Sequence, residues 1–199
     1  LVTSSISGEG KTFVASNLAV VFANSGKKTL LLGADLRRPK IYEDFSNENK
    51  KGLSTILSGD NSFKDVVIRT EYDNLDVIIS GPTPFNPSDT LLSKNFEHLI
   101  SLLKEKYDKI IIDTAPIGLV ADAYMVMKFS DVNLYIVRQD YTSKEVLRFV
   151  NGLHEEKRIN NLFLVLNDVS SGSGVYGYGK YSYSYGYGYN YDSYINNSE

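Results

Sequence analysis

Hydrophobic residues are distributed along this chain in two alternating patterns. Short continuous apolar runs, rich in leucine and β-branched residues, predict strands buried on both faces of a parallel sheet. Longer runs in which apolar positions recur every three or four residues predict helices. The strands are expected at residues 1–2, 29–32, 75–79, 109–112, 133–137 and 162–166, and the helices at 11–25, 88–107, 119–129 and 143–157. This alternation predicts a doubly wound, mostly parallel α/β fold with right-handed crossovers.

The composition changes abruptly after residue 169. Residues 1–169 are expected to form one domain, and residues 170–199 a Gly/Ser linker followed by a low-complexity tail. The tail lacks the aliphatic residues needed to build a core, so we expect it to be flexible and accessible. Its tyrosines are Tyr176, Tyr178, Tyr181, Tyr183, Tyr185, Tyr187, Tyr189, Tyr191 and Tyr194.

Composition and charge exclude several classes of site. The chain is 42% hydrophobic and 23% charged, as in soluble globular proteins, and its net charge of −3 gives no reason to expect a nucleic-acid partner. It contains no cysteine, and its histidines, His98 and His154, lie in polar helical stretches where we expect them to be surface residues. No apolar run is long enough to span a bilayer and no signal peptide is recognisable. Because the first residue is Leu1, we expect the sequence to be part of a longer polypeptide.

Residues 5–12 (Ser-Ile-Ser-Gly-Glu-Gly-Lys-Thr) follow the first strand and open the first helix. Backbone N–H groups of such a glycine-containing loop, together with the helix N-terminus, form a concavity for phosphate oxygens. Glycines permit positive φ and close backbone approach, a lysine reaches the β- and γ-phosphates, and a threonine hydroxyl binds magnesium. The strict pattern has glycine where this chain has Ser5. The nucleotide-binding residues are expected to be Ser7, Gly8, Glu9, Gly10, Lys11, Thr12 and Phe13.

Two acidic residues follow predicted strands. Asp113 ends the strand at residues 109–112, where a carboxylate can hold magnesium directly or through water, or can simply cap the next turn. Asp35 follows the strand at residues 29–32, and the adjacent Arg37 and Arg38 either contact phosphate or solvate the loop. Asn167 follows the last strand, where it either reads the adenine edge or serves as a turn residue.

Together these residues resemble the bacterial tyrosine kinase family, the cytoplasmic domains of polysaccharide co-polymerases. The phosphate-binding loop (P-loop) of the family is similar to residues 3–12 of this chain. A stretch of the family that contains Asn-Pro is similar to residues 81–92. The family's second motif, Asp-x-Asp-x-Arg-Arg/Lys-Pro, is matched from Asp35 to Pro39, and its third, a strand ending in Asp-x-x-Pro, at Asp113 and Pro116. Gly33 departs from the pattern, since the family usually has aspartate there.

The resemblance implies a tyrosine autokinase that uses ATP and Mg²⁺ to phosphorylate the tail tyrosines. Lys11 is then assigned to phosphate, Thr12, Asp35 and Asp113 to magnesium, and Asp35 to the base role that the residue at position 33 would otherwise fill. The resemblance further implies a role in capsular or extracellular polysaccharide assembly, a ring-like homo-oligomer, a membrane-embedded chain-length regulator and a tyrosine phosphatase as partners. The expected location is the cytoplasmic face of the bacterial inner membrane.

Two other interpretations stay open. A switch ATPase of the septum-site or plasmid-partition type would share the fold, but such proteins carry a signature lysine at the position of Ile6. Alternatively, Gly33 marks a domain that binds nucleotide only to control assembly, with the tyrosine-rich tail acting as an adhesive segment.

Overall fold

A computed structural model describes residues 1–41, 50–118, 122–155 and 159–170, and within these ranges one sheet holds all the strands. The strands in chain order are β1 (Val2–Ser4), β2 (Thr29–Gly33), β3 (Ile68–Arg69), β4 (Leu75–Ile78), β5 (Lys109–Asp113), β6 (Asn133–Arg138) and β7 (Leu162–Asn167). Their order across the sheet is β3-β4-β2-β5-β1-β6-β7. Every neighbouring pair is parallel except β3 and β4, which are antiparallel. The predicted mostly parallel α/β fold is confirmed.

The helices connect these strands. They are α1 (Lys11–Asn24), α2 (Leu53–Ser58), α3 (Phe63–Val66), α4 (Pro87–Leu92), α5 (Lys94–Lys106), α6 (Asp122–Met127) and α7 (Lys144–Glu155). In the part of the chain that the structure describes, none of them is long and apolar enough to cross a membrane. The tail, including all of its tyrosines from Tyr176 to Tyr194, lies outside the described residues.

The central strands separate two apolar layers. In β2, Leu30 and Leu32 pack into the cluster that contains the buried face of α5, whereas Leu31 packs into the cluster that contains α1. All of β2 is buried because helices cover both sides of the sheet. A continuous rather than alternating apolar run is therefore the right signal for this strand.

Helix α1 approaches the sheet closely because the side chains on its buried face are small. Ala15, Ala19 and Ala23 are spaced four residues apart and are almost completely buried. Residues at this spacing lie on one helical face, so they form a narrow stripe of methyl groups against the strands. This stripe holds the first residue of the helix, Lys11, at the carboxyl edge of the sheet.

The single helix predicted over residues 88–107 is wrong, because the chain forms two helices there. Ser93 has an extended backbone, and its side-chain oxygen accepts a hydrogen bond from the Phe96 N–H at 3.3 Å, which caps α5. Leu91 and Phe96 are nevertheless both buried, so the apolar spacing persists across the break. Serine favours an N-cap over a helix interior, and this local preference decides the boundary.

Three short elements were not predicted, namely α2, α3 and β3. Each has six residues or fewer, which is too short for a hydrophobic period to be recognised. The helix predicted over 119–129 is observed as α6, with residues 119–121 outside the described part of the chain. Both His98 and His154 are exposed, as expected.

Candidate active site

The P-loop lies between β1 and α1, at the carboxyl edge of the sheet. Gly8 and Gly10 have φ values of 91° and 92°, a conformation that residues with a Cβ rarely adopt. A Cβ at Gly10 would lie 2.1 Å from the Asn167 side-chain nitrogen, so any other residue there would displace the Asn167 amide. Because β1 lies between β5 and β6, the loop is flanked by strand ends on both sides.

We call the side facing β5 and β2 the carboxylate side. Lys11 Nζ lies 3.5 Å from Asp35 Oδ2 and 3.8 Å from Asp113 Oδ1. The Thr12 hydroxyl donates to Asp113 Oδ2 at 2.8 Å. Lys11, Asp35 and Asp113 are all less than 10% exposed, so their charges interact in surroundings that screen them weakly. The structure therefore brings together the four residues predicted to act on phosphate and magnesium.

Asp113 carries an unsatisfied atom. Burial raises the pKa of its carboxyl to about 6, against the lowering effect of Lys11 and of the hydrogen bond from Thr12. Its Oδ1 is buried and has no hydrogen-bond partner. A buried carboxylate oxygen beside a threonine hydroxyl fits a magnesium ion or its bound water. Within the described ranges no group of three or more acidic or histidine side chains could hold a metal ion, so phosphate and water would have to complete its coordination.

The Asp35 loop is held by its own backbone and by one ion pair in which the acid, Asp122, is buried. Asp35 Oδ1 accepts from the backbone N–H groups of Arg37 at 3.2 Å and Arg38 at 2.9 Å. The Arg37 side chain donates to Asp122, with Nε 2.6 Å from Oδ2, and to the Ser88 hydroxyl at 2.9 Å. Arg37 and Arg38 are both exposed, and the Arg37 guanidinium binds a carboxylate on α6 rather than only solvating the loop.

Gly33 ends β2 and pairs in register with Asp113 on β5. A Cβ at this position would lie 3.1 Å from the Ser80 hydroxyl and 3.2 Å from the Ser80 backbone nitrogen. The Ser80 hydroxyl donates to the Gly33 carbonyl at 3.1 Å. The space that a side chain at position 33 would enter is thus partly taken by Ser80.

We call the opposite side of the loop, facing β6 and β7, the clasp side. Here three consecutive carbonyl oxygens of the P-loop each accept one side-chain hydrogen bond at 3.0 Å. The donors are Tyr141 to Ser7, Arg138 to Gly8 and Asn167 to Glu9. With their carbonyls held on this side, the peptide N–H groups of the loop are free to turn toward the concave face where phosphate would lie.

Glu9 was expected among the nucleotide-binding residues, but its side chain makes its hydrogen bonds within the protein. Its side chain is fully buried, and Oε2 accepts from the Ile6 N–H at 2.8 Å while Oε1 accepts from the Thr142 hydroxyl. It therefore closes the loop onto itself and onto the segment after β6. Phe13 is 66% exposed at the start of α1, so only its backbone belongs to the loop.

The clasp-side residues Arg138, Tyr141 and Thr142 were missed by sequence reasoning. Arg138 ends β6 and the other two follow it, and the rule that ligands bind beyond the carboxyl ends of strands applies to that strand as well. Asn167 was singled out, and the structure places it against the P-loop. Asp122 was missed because nothing in its surrounding sequence distinguishes it from a surface acid at the start of a helix.

Comparison with known proteins finds relatives that cover most of this chain. Residues 2–163 match the family model described as an AAA domain. The crystal structure of the chimerical protein CapA2B2 superposes with a TM-score of 0.78 and 37% identity, over 82% of this chain and 73% of that chain.

Two curated relatives are both named tyrosine-protein kinases. The tyrosine-protein kinase CpsD of Streptococcus pneumoniae serotype 4 is 38% identical over 88% of this chain and 78% of its own length. The tyrosine-protein kinase ptk of Acinetobacter johnsonii is 37% identical over 84% of this chain, which spans only 23% of that relative. With the AAA-domain model matched over residues 2–163 and CpsD 38% identical over most of its own length, this chain belongs to the bacterial tyrosine-protein kinase family within the AAA-domain proteins.

Proposed function

We propose that this protein is an ATP-dependent protein-tyrosine autokinase that phosphorylates the tyrosines of its own tail. The observation that carries the proposal is the buried set on the carboxylate side, where Lys11 lies between Asp35 and Asp113 and Thr12 is bonded to Asp113. A lysine, a threonine and two strand-end carboxylates at a helix N-terminus are the parts that phosphoryl transfer from a nucleoside triphosphate requires. The proposed acceptors are Tyr176, Tyr178, Tyr181, Tyr183, Tyr185, Tyr187, Tyr189, Tyr191 and Tyr194.

In the reaction, a tail tyrosine oxygen forms a bond to the γ-phosphorus while the bond to ADP breaks. Lys11 and the loop N–H groups offset charge on the transferring group. Thr12, Asp35 and Asp113 would hold Mg²⁺, which supplies charge neutralisation when bound. Because the usual pKa of tyrosine is near 10, its proton needs a carboxylate close by, and we assign that role to Asp35.

The adenine is proposed to lie near Asn167. Its Nδ2 donates to the Glu9 carbonyl, which orients the amide so that Oδ1 can accept from the amino group of the base. The same contact ties the base-reading residue to the phosphate-binding loop. The backbone of Ser7 to Phe13 completes the proposed nucleotide site.

The partners follow from the family rather than from the described residues. We propose a ring-like homo-oligomer in which one subunit phosphorylates its neighbour's tail, with a membrane-embedded chain-length regulator and a tyrosine phosphatase as further partners. The proposed place of action is the cytoplasmic face of the bacterial inner membrane, in the assembly of capsular or extracellular polysaccharide.

The second candidate function is a nucleotide-binding assembly scaffold without kinase activity. It is favoured by Gly33, because the acid expected there is absent and Ser80 takes part of its space. A partition-type switch ATPase is disfavoured by Ile6, which stands where those proteins have lysine.

The test is to incubate the protein with ATP and Mg²⁺, together with the cytoplasmic segment of its membrane partner, and to map phosphotyrosine by mass spectrometry. We expect phosphate on several tail tyrosines, lost in Lys11→Met and retained in the matched control Lys27→Met, since Lys27 is exposed. An unmodified tail in a sample that binds ATP would support the scaffold, and ATP turnover without phosphotyrosine would support the switch ATPase.

A further inference from the structure

One side chain contacts both the P-loop and the first residues beyond the sheet. Arg138 Nη1 donates to the Gly8 carbonyl at 3.0 Å, and its Nε donates to Asp168 Oδ2 at 2.9 Å. Asp168 immediately follows β7 and has a φ of 54°, so the chain turns there. We call residues 168–170 the tail root, because the tyrosine-rich tail continues from them.

A second residue fixes the far end of the tail root. Gln139 Nε2 donates to the Ser170 hydroxyl at 3.0 Å, and the Ser170 N–H donates back to Gln139 Oε1 at 3.1 Å. The Gln139 backbone N–H also donates to the Asn167 carbonyl at 3.1 Å. The chain leaving β7 is therefore hydrogen-bonded at both ends of the tail root to two successive residues, Arg138, which ends β6, and Gln139, which follows it.

The contacts of Arg138 link the P-loop to the tail root, so a movement of the loop changes the contacts of the root. Gly8 is an exposed residue of the loop expected to close on phosphate, and its carbonyl shares the Arg138 guanidinium with Asp168. Any shift of that carbonyl on nucleotide binding changes the geometry of the Arg138–Asp168 pair. Nucleotide binding then shifts the equilibrium between positions of the tail root by some factor. Linkage requires that fixing the tail root in the favoured position changes nucleotide affinity by the same factor.

The size of this coupling is limited by exposure. The Arg138 side chain is 39% exposed and that of Asp168 is 60% exposed, and such pairs contribute little because solvent screens them. Effects of a few-fold are therefore expected, and a contact of this strength can break and reform without disturbing the fold.

We propose that Arg138 is a positioning residue that couples nucleotide occupancy of the P-loop to the placement of the tail root, and so to presentation of the acceptor tyrosines. The tail as acceptor rests on the proposed function, whereas the coupling between loop and root does not. Arg138 acts on the tail root through its ion pair with Asp168, and Gln139 acts on it through its hydrogen bonds with Ser170.

A double-mutant cycle tests the coupling by binding alone. We measure the Kd of a fluorescent ATP analogue for the wild type, Arg138→Met, Asp168→Asn and the double variant, with Asp73→Asn as an exposed, distant control of equal charge change. Asparagine tolerates the positive φ of Asp168, so the backbone is preserved. We expect a two- to five-fold higher Kd for each single variant, and a double variant no weaker than Arg138→Met alone.

The sign of the Asp168→Asn effect separates this inference from simple charge attraction. Removing a negative charge near an anion site should strengthen ATP binding, whereas loss of the Arg138–Asp168 contact should weaken it. An unchanged or lower Kd for Asp168→Asn, or effects of the two variants that simply add, would overturn the proposal.

A second measurement concerns the tail. We compare phosphorylation of the protein's own tail with that of an added peptide of residues 176–194 in Gln139→Ala, which loses both side-chain bonds to Ser170. The own-tail rate should fall about three-fold while the peptide rate stays constant. Equal changes in both rates would contradict a positioning role, and no phosphorylation of either in the wild type would contradict the proposed function while leaving the binding cycle valid.

Discussion

The carboxylate side and the clasp side of the P-loop hold the same loop by different means. On the carboxylate side, the side chains of Lys11 and Asp113 are 10% and 3% exposed, and their contacts are between charges. On the clasp side, the donors bind backbone carbonyls, and Arg138 and Tyr141 are 39% and 48% exposed. Charges interact strongly where water is excluded and weakly where it is not. Buried contacts between charges are thus concentrated on one side of the loop, and exposed contacts that break and reform easily on the other.

The largest effect should come from breaking the carboxylate side. Asp113→Asn removes a charge from the proposed magnesium site and should lower Mg²⁺-dependent phosphotransfer about 100-fold or more, the usual size for loss of one preorganised electrostatic contact. Initial rates of phosphotyrosine formation measure it, with the exposed Asp60→Asn as control. Retention of more than about a tenth of the activity would contradict the role proposed for Asp113 on the carboxylate side.

The same residue predicts a pH dependence of stability in the protein without nucleotide or metal. Because the pKa of Asp113 is about 6 when folded and near 3.8 when unfolded, the folded state binds more protons between these values. The charged carboxylate thus destabilises the fold, and this penalty is absent below about pH 4 and fully present above about pH 7. The free energy of unfolding of Asp113→Asn relative to wild type should therefore rise by about 1–3 kcal/mol over that range.

Denaturant melts in EDTA at several pH values give this difference directly. Other titrating groups are common to both proteins and largely cancel. A difference that does not depend on pH would mean that the Asp113 carboxyl is not strained by burial.

The point where the two sides meet should be broken by Gly10→Ala. The added methyl would meet the Asn167 amide and would stand at a positive φ that alanine disfavours, whereas Gly59→Ala imposes the same backbone strain with nothing within 4 Å. The two variants therefore differ mainly in the contact. We expect nucleotide affinity to fall about ten-fold or more for Gly10→Ala and to be unaltered for Gly59→Ala, by titration with a fluorescent ATP analogue. Equal affinities would mean that the loop has room to shift.

The smallest effect should come from Tyr141→Phe, which removes one hydrogen bond to the Ser7 carbonyl at an exposed position. A net contribution near the lower end of about 0.5–1.5 kcal/mol corresponds to a two- to three-fold increase in Kd for ATP. Tyr124→Phe, on α6, is the control. A ten-fold loss would mean that the clasp side is as rigid as the carboxylate side.

The two sides also differ in how well the sequence predicts them. Lys11 and Thr12 lie in a recognised loop pattern and Asp35 and Asp113 follow apolar runs, because the proposed chemistry needs those residue types at those places. Arg138 and Tyr141 act by donating to backbone carbonyls, a task for which many side chains would serve, so no residue pattern indicates it. The central strands were predicted to within about two residues for the same reason as the carboxylates, namely that burial on both faces restricts composition. The break at Ser93 and the short α2, α3 and β3 depend on local capping and edge pairing, which periodicity does not report.

The alanine stripe of α1 makes the position of Lys11 depend on three buried methyl groups that are not part of the proposed site. Ala15, Ala19 and Ala23 determine the gap between helix and strands, and Lys11 begins the same rigid rod. A larger residue at any of these positions would tilt α1 or move it away from the sheet. A displacement of the order of 1 Å at its first residue is enough to misalign a phosphoryl group. Loss of activity in this family of sites can therefore arise from substitutions that look conservative, lie in the hydrophobic interior and leave every chemically active group in place.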